Sequence, residues 1–209
     1  MRITAENTIA LVIDIQEKLV PSIYAHKYLV KTTQNLLEAL NILNIPKIIA
    51  EQYPKGLGST IPEIAKYFRP EDKVFPKTSF SAVEDENLFQ ELQNSKKQNV
   101  ILFGIEAHVC VMQTFVDLRE KGYNVILIND CIGSRSKYDK KVALRRAEQE
   151  GVLISSYESI VFELTRSAKN PNFKAISDLI KKSGEEMEKD KKHKHKHHEH
   201  HDKHDKHED

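Results

Sequence analysis

Short apolar runs punctuate the chain at regular intervals. Thr8–Ile15, Lys47–Ala50, Asn99–Phe103, Asn124–Ile128 and Val152–Ile154 are rich in Val, Ile and Leu and hardly alternate. Runs this short, apolar toward both sides, are read as strands of a parallel sheet covered on both faces. Lys73–Phe75, before Pro76, is a further short strand candidate. Between the runs the period changes. Tyr28–Leu43 places Leu29, Leu36, Leu37, Leu40 and Leu43 at helical spacing, and Pro46 forbids its continuation. Val109–Lys121 repeats the pattern with Val111, Met112, Phe115 and Leu118, and Gly122 stands where a C-cap belongs. Further helices are expected over Ile61–Phe68, Asn87–Gln93, Tyr138–Gln149, Ser159–Leu164 and Asn172–Lys182, with a turn-rich loop over Glu51–Thr60. Alternation of strand and helix predicts right-handed βαβ crossovers, hence an α/β fold of three layers, α/β/α.

The pattern ends near Gly184. From there to Asp209 nearly every position is Lys, His, Glu or Asp, and eight of the chain's 10 histidines lie beyond residue 192. Such a segment has no core to bury, so residues 1–183 form the expected domain and 184–209 a disordered tail. Clustered imidazoles give that tail a weak affinity for divalent metals.

Charge adds little. Lys and Arg number 32 against 31 Asp and Glu, a formal charge of +1, which supplies no electrostatic case for nucleic acid or an anionic membrane. No apolar run approaches a membrane span, and the N-terminal residues lack a secretory or transit pattern. Cys110 and Cys131 are the two cysteines and form no CxxC pair, so neither a disulfide scaffold nor a zinc ribbon is expected. A cytoplasmic, reducing location follows as the expectation.

Ligands of open parallel sheets bind beyond the carboxyl ends of the strands. Standing there are Asp14 and Gln16, Glu51-Gln-Tyr53, Lys77, Gly104-Ile-Glu-Ala-His-Val-Cys110 and Asp130–Arg135. Cys110 opens a helix, where free amide groups favour a thiolate. Gly104 permits a sharp turn after its strand, so that amides can converge on an oxyanion. The same cysteine is also consistent with a small buried hydrophobe. Asp14, at the end of an apolar strand, has a carboxyl pushed toward protonation by burial, and Lys77 would stabilise carboxylate and thiolate alike. A purely structural Asp14–Lys77 ion pair fits the sequence equally well. His108 lies two residues from Cys110 and His26 in a loop, so a Cys–His pair has thin support. Cys131 has no activating partner and is expected to be structural.

Taken in order, Leu11-Val-Ile-Asp14-Ile-Gln16, Phe75-Pro-Lys77-Thr-Ser-Phe80, Gly104-Ile-Glu-Ala-His-Val-Cys110-Val-Met-Gln-Thr114 and Asp130-Cys-Ile-Gly-Ser-Arg-Ser136 resemble the isochorismatase-like cysteine hydrolases. The likeness spans Thr8–Ala175. Glu51-Gln-Tyr-Pro-Lys-Gly-Leu-Gly58 resembles the isochorismatase-domain-containing branch in particular. This resemblance implies a six-stranded Rossmann-like sheet, a homo-oligomer and a catalytic triad at Asp14, Lys77 and Cys110. It also implies a cis peptide between Ile105 and Glu106, with the amides of Glu106 and Cys110 as oxyanion hole. Gln16, Tyr53, Phe80, His108 and Ser134 are the substrate-contact candidates. Nicotinamidases of the superfamily bind a metal through an Asp-x-His pair after the second strand. Glu51-Gln-Tyr53 stands there instead, so no metal or other cofactor is expected. True isochorismatases lack the nucleophilic cysteine. Cys110 therefore implies hydrolysis of a small amide or related C–N substrate through a thioester. Two rival readings remain at this level: a non-catalytic interaction protein that keeps the fold, and metal handling by the tail.

Overall fold

In the computed structural model, residues 2–186 are described. Six strands form one sheet in the order β3-β2-β1-β4-β5-β6, and every pairing is parallel. The strands are β1 (Thr8–Ile13), β2 (Lys47–Gln52), β3 (Lys73–Lys77), β4 (Asn99–Ile105), β5 (Asn124–Gly133) and β6 (Leu153–Ser155). The main helices are α1 (His26–Ile42), α4 (Glu86–Asn94), α5 (Met112–Glu120), α6 (Lys137–Gln149) and α7 (Tyr157–Thr165). Single turns α2 (Pro54–Leu57) and α3 (Pro62–Ala65) lie between β2 and β3. A last helix covers 173–186. The tail assigned to 184–209 lies outside the described residues from 187 onward.

Burial explains the sheet order. Every residue of β1 and β4 is buried, while β3 and β6 at the edges are largely exposed or half-buried. Central parallel strands have helices on both faces, so they can be apolar throughout. From α1, Leu29, Leu36, Leu37 and Leu40 all enter the core. Each such burial stabilises the fold by roughly 1.5–3 kcal/mol.

The differences from the expected elements lie at the strand ends. Gly104 does not end its strand. It stays in β4, opposite Ile13, with φ +127°. A Cβ there would stand 2.1 Å from the carbonyl oxygen of Ile13, so glycine is required for β1 and β4 to approach. Opposite it, the β4–β5 register shifts between Leu102 and Gly104, and β5 runs on to Gly133 instead of stopping at Ile128. The helix expected at Val109 begins as a π-turn over Ala107–Val111 before α5. Pro54 starts the single turn α2 inside the expected loop, and the helix expected over Ile61–Phe68 is only the turn α3.

Candidate active site

β1 and β4 are neighbours at the point where the strand order reverses, and this is where the polar groups gather. Asp14 follows β1 directly, with φ +51°, a left-handed conformation that Asp tolerates better than most residues. Its amide donates to Ala50 O and its carbonyl accepts from the Gln16 amide. Lys77 closes β3. Both side chains are fully buried, and Lys77 Nζ donates to Asp14 Oδ2 at 2.8 Å. The ammonium also donates to Gln52 Oε1 at 2.6 Å and to the carbonyls of Ser79 and Phe80 at 3.2 and 3.1 Å. A buried ammonium is costly unless its donors are used. Here two loop carbonyls and two side chains use them.

Cys110 sits in the π-turn, 7% exposed, with Sγ 4.0 Å from Gln52 Oε1. Its backbone is braced by Thr114, whose Oγ1 donates to Cys110 O at 2.6 Å and accepts from the Ala82 amide at 2.9 Å. The other carboxylate oxygen, Asp14 Oδ1, is buried without a hydrogen-bond partner. Burial raises the Asp14 carboxyl above its ordinary value, Lys77 opposes the rise, and the Cys110 thiol is the next group that lowers it.

Sulfur chemistry departs from the sequence-based expectation of a resting thiolate. Burial, reinforced by the negative charge of Asp14, pushes the Cys110 thiol up to about 12, and Lys77 only partly opposes this. A helix terminus cannot offset the loss of water around a nearly enclosed sulfur beside a carboxylate. The resting thiol is neutral.

Gln52 was not singled out in the sequence. It bridges the set, accepting from Lys77, facing Cys110 Sγ, and donating through Nε2 to Thr78 O at 2.8 Å. The available signal was its place at the end of β2, in register with Lys77. Gln16 in turn holds Gln52. Its Oε1 accepts from the Gln52 amide at 2.7 Å, and its Nε2 donates to Gln52 O and Gly58 O at 2.8 and 2.7 Å. With its amide fully engaged and buried, Gln16 is placed to brace the site from behind.

Of the remaining candidates, Tyr53 and Phe80 are half exposed. His108 Nδ1 lies 2.9 Å from Ser134 Oγ, pairing the nucleophile's turn with the end of β5. The peptide between Ile105 and Glu106 is cis. Glu106 Oε2 accepts from Arg135 N and Nε at 3.3 and 3.0 Å. Glu51 spends Oε1 on the amide and hydroxyl of Thr60 at 2.6 and 2.7 Å. Cys131 is wholly buried, and burial drives its thiol far above the ordinary range.

Residues 8–159 match the isochorismatase domain, nearly three-quarters of the chain. The chain belongs to the isochorismatase family. It is a family of hydrolases, and its fold is this six-stranded parallel sheet with flanking helices. Isochorismatase domain-containing protein 2 of Danio rerio is 40% identical over 86% of this chain and 89% of its own length. A structure of the MAR1 ribonuclease of Caenorhabditis elegans superposes with a TM-score of 0.82 at 39% identity, covering 86% of this chain and 92% of that one. The octameric hydrolase YcaC of Escherichia coli shares the fold at a TM-score of 0.82 and 20% identity, covering 92% and 97%. Among the described residues no helix is long and apolar enough to cross a membrane.

Proposed function

We propose that this isochorismatase-family protein hydrolyses a small amide or related C–N substrate through a thioester on Cys110, without a metal. The observation that carries the reading is the division of labour on Asp14. Oδ2 is fixed by Lys77, and Oδ1 is buried without a partner beside a neutral thiol. A carboxylate so placed is a proton acceptor with one proton near it.

The steps follow. Cys110 Sγ attacks the substrate carbonyl carbon as its proton passes to Asp14. The negative charge thus passes from Asp14 to the carbonyl oxygen, the sulfur becomes covalently bound to carbon, and Lys77 is left beside a neutral acid. The amides of Glu106 and Cys110 receive the oxyanion. Asp14 returns the proton to the leaving nitrogen as the C–N bond breaks, leaving a thioester. Water, losing a proton to Asp14, attacks the thioester carbon, and the thiol is restored as the acid product departs. Gln52 positions Lys77 and the sulfur. Tyr53, Phe80, His108 and Ser134 are proposed to contact substrate. Self-association is part of the proposal, supported by the octamer of the fold-sharing YcaC. A cytoplasmic location agrees with two cysteines that form no disulfide.

Substitution tests the reading. On a panel of small amides, Cys110→Ala is expected to lose turnover completely, while Cys131→Ser retains it within about threefold, because Cys131 contacts no substrate. Equal turnover by Cys110→Ala and the unaltered chain would remove the proposal.

A further inference from the structure

The overhang of β5 builds a second concave site. β6 follows β5 only to the pair Ile128 and Ser155, so the segment from Asn129 onward projects beyond the sheet on that side. The starts of α1 and α6 close over it, leaving a cleft of about 370 Å³. Gly133 lets the end of β5 pack against the start of α1, since a Cβ there would fall 2.6 Å from the Ile23 and Leu29 side chains. Asp14, Lys77 and Cys110 do not line this cleft.

Its lining joins three cations to two aromatic rings. Lys137, Lys140 and Lys141 all border the cleft, and among the described residues none of them is ion-paired to a carboxylate. Lys137 Nζ stands 4.8 Å from the Tyr24 ring centroid, and Lys140 Nζ donates to Asn129 O at 2.7 Å. Asp130 is the one acidic residue in the lining. Its Oδ1 is occupied by the Tyr157 amide at 2.9 Å and faces Cys131 Sγ at 3.9 Å. Three ammonium groups against one carboxylate leave an excess that matches a dianion. A phosphate monoester carries about −1.5 to −2 at neutral pH. Tyr24 and Tyr28 line the same cleft and are each about half exposed, offering ring surface for stacking.

We propose that this cleft binds a phosphorylated aromatic ligand of mononucleotide size. The phosphate is held by Lys140 and Lys141, and the ring lies against Tyr28. Burial lowers the Lys140 ammonium below its usual range, so an anion beside it would relieve a real cost. The formal charge of +1 over the whole chain supplies no track for a long polyanion, so the ligand is a small molecule and not a strand. The proposal does not rest on the hydrolase reading, although Ser134, placed above among the substrate contacts, also lines this cleft.

Isothermal titration calorimetry on the full chain tests it, with AMP as the probe. Adenosine, inorganic phosphate, benzoate and a short single-stranded oligoribonucleotide are the comparisons. AMP is expected to bind at least about tenfold tighter than adenosine, phosphate or benzoate, and the oligonucleotide no tighter than AMP. Lys140→Met, Lys141→Met and Tyr28→Ala should each weaken AMP by about fivefold or more, while Cys110→Ala binds it unchanged. Lys141 is exposed, so Lys141→Met decides the matter even if Lys140→Met fails to fold. AMP binding no better than adenosine or phosphate overturns the proposal. So does an affinity indifferent to Lys141→Met, a loss in Cys110→Ala, or a much tighter oligonucleotide.

Discussion

Asp14 and Cys110 hold each other in check. Burial and the carboxylate together lift the thiol, and on the proposed mechanism its proton moves only when a carbonyl arrives to take the sulfur's electrons. Resting reactivity and catalytic competence are therefore separable. Alkylation of Cys110 by iodoacetamide should be slow at neutral pH and rise steeply only toward pH 12. Asp14→Asn removes the neighbouring negative charge and leaves Lys77, so its thiol should titrate lower than in the unaltered chain. The same variant should lose about 10²- to 10⁴-fold in hydrolysis for want of a base. Rate against pH, with the adduct located by peptide mass, reads the first effect. A titration that does not move, or moves up, would mean that the carboxylate does not act on the sulfur. Resting activation of the thiol was the error in the sequence reading. Sequence shows that a cysteine begins a helix but not how thoroughly neighbouring strands enclose it.

Among the elements, the strand ends decide the site. Gly104→Ala is expected to destabilise the protein by at least about 3 kcal/mol, because a methyl at φ +127° meets the Ile13 carbonyl oxygen. Urea unfolding measures this, and a loss below about 1 kcal/mol would show that β1 and β4 can part without penalty. Strands and long helices were legible because apolar runs and leucine spacing report burial directly. Leu36, Leu37 and Leu40 are buried as their spacing demands. What periodicity could not show was where strands end. β5 continues past Ile128 through Asn129 and Asp130, polar residues that read as a strand terminus, because its carboxyl end pairs with the shifted end of β4. Gln52 was hidden for a related reason. Its importance comes from register with Lys77 and from the Gln16 clamp, and neither contact is local in sequence.

On the scale of the whole molecule, one sheet brings together residues as far apart as Asp14 and Cys110, and the cost of enclosing them appears in the pH dependence of stability. A thiol raised from 9.0 to about 12 on folding keeps its proton in the native state where the unfolded chain has lost it. Native protein then binds more protons than unfolded protein between those values, so stability falls as pH rises through that window. Three pKa units correspond to about 4 kcal/mol from this group. Denaturant unfolding between pH 9 and 12 should show a steeper decline in the unaltered chain than in Cys110→Ala, and parallel curves would contradict the raised thiol.

On the proposed mechanism Cys110 carries the acyl group with Asp14 as its base. Rapid quenching with p-nitrophenyl acetate, an activated acyl donor, tests this most directly. The prediction is a burst of one nitrophenolate per chain and one acetyl group mapped to Cys110, both absent in Cys110→Ala and strongly slowed in Asp14→Asn. Release of nitrophenolate that leaves Cys110 unmodified, or that persists in Cys110→Ala, would contradict it.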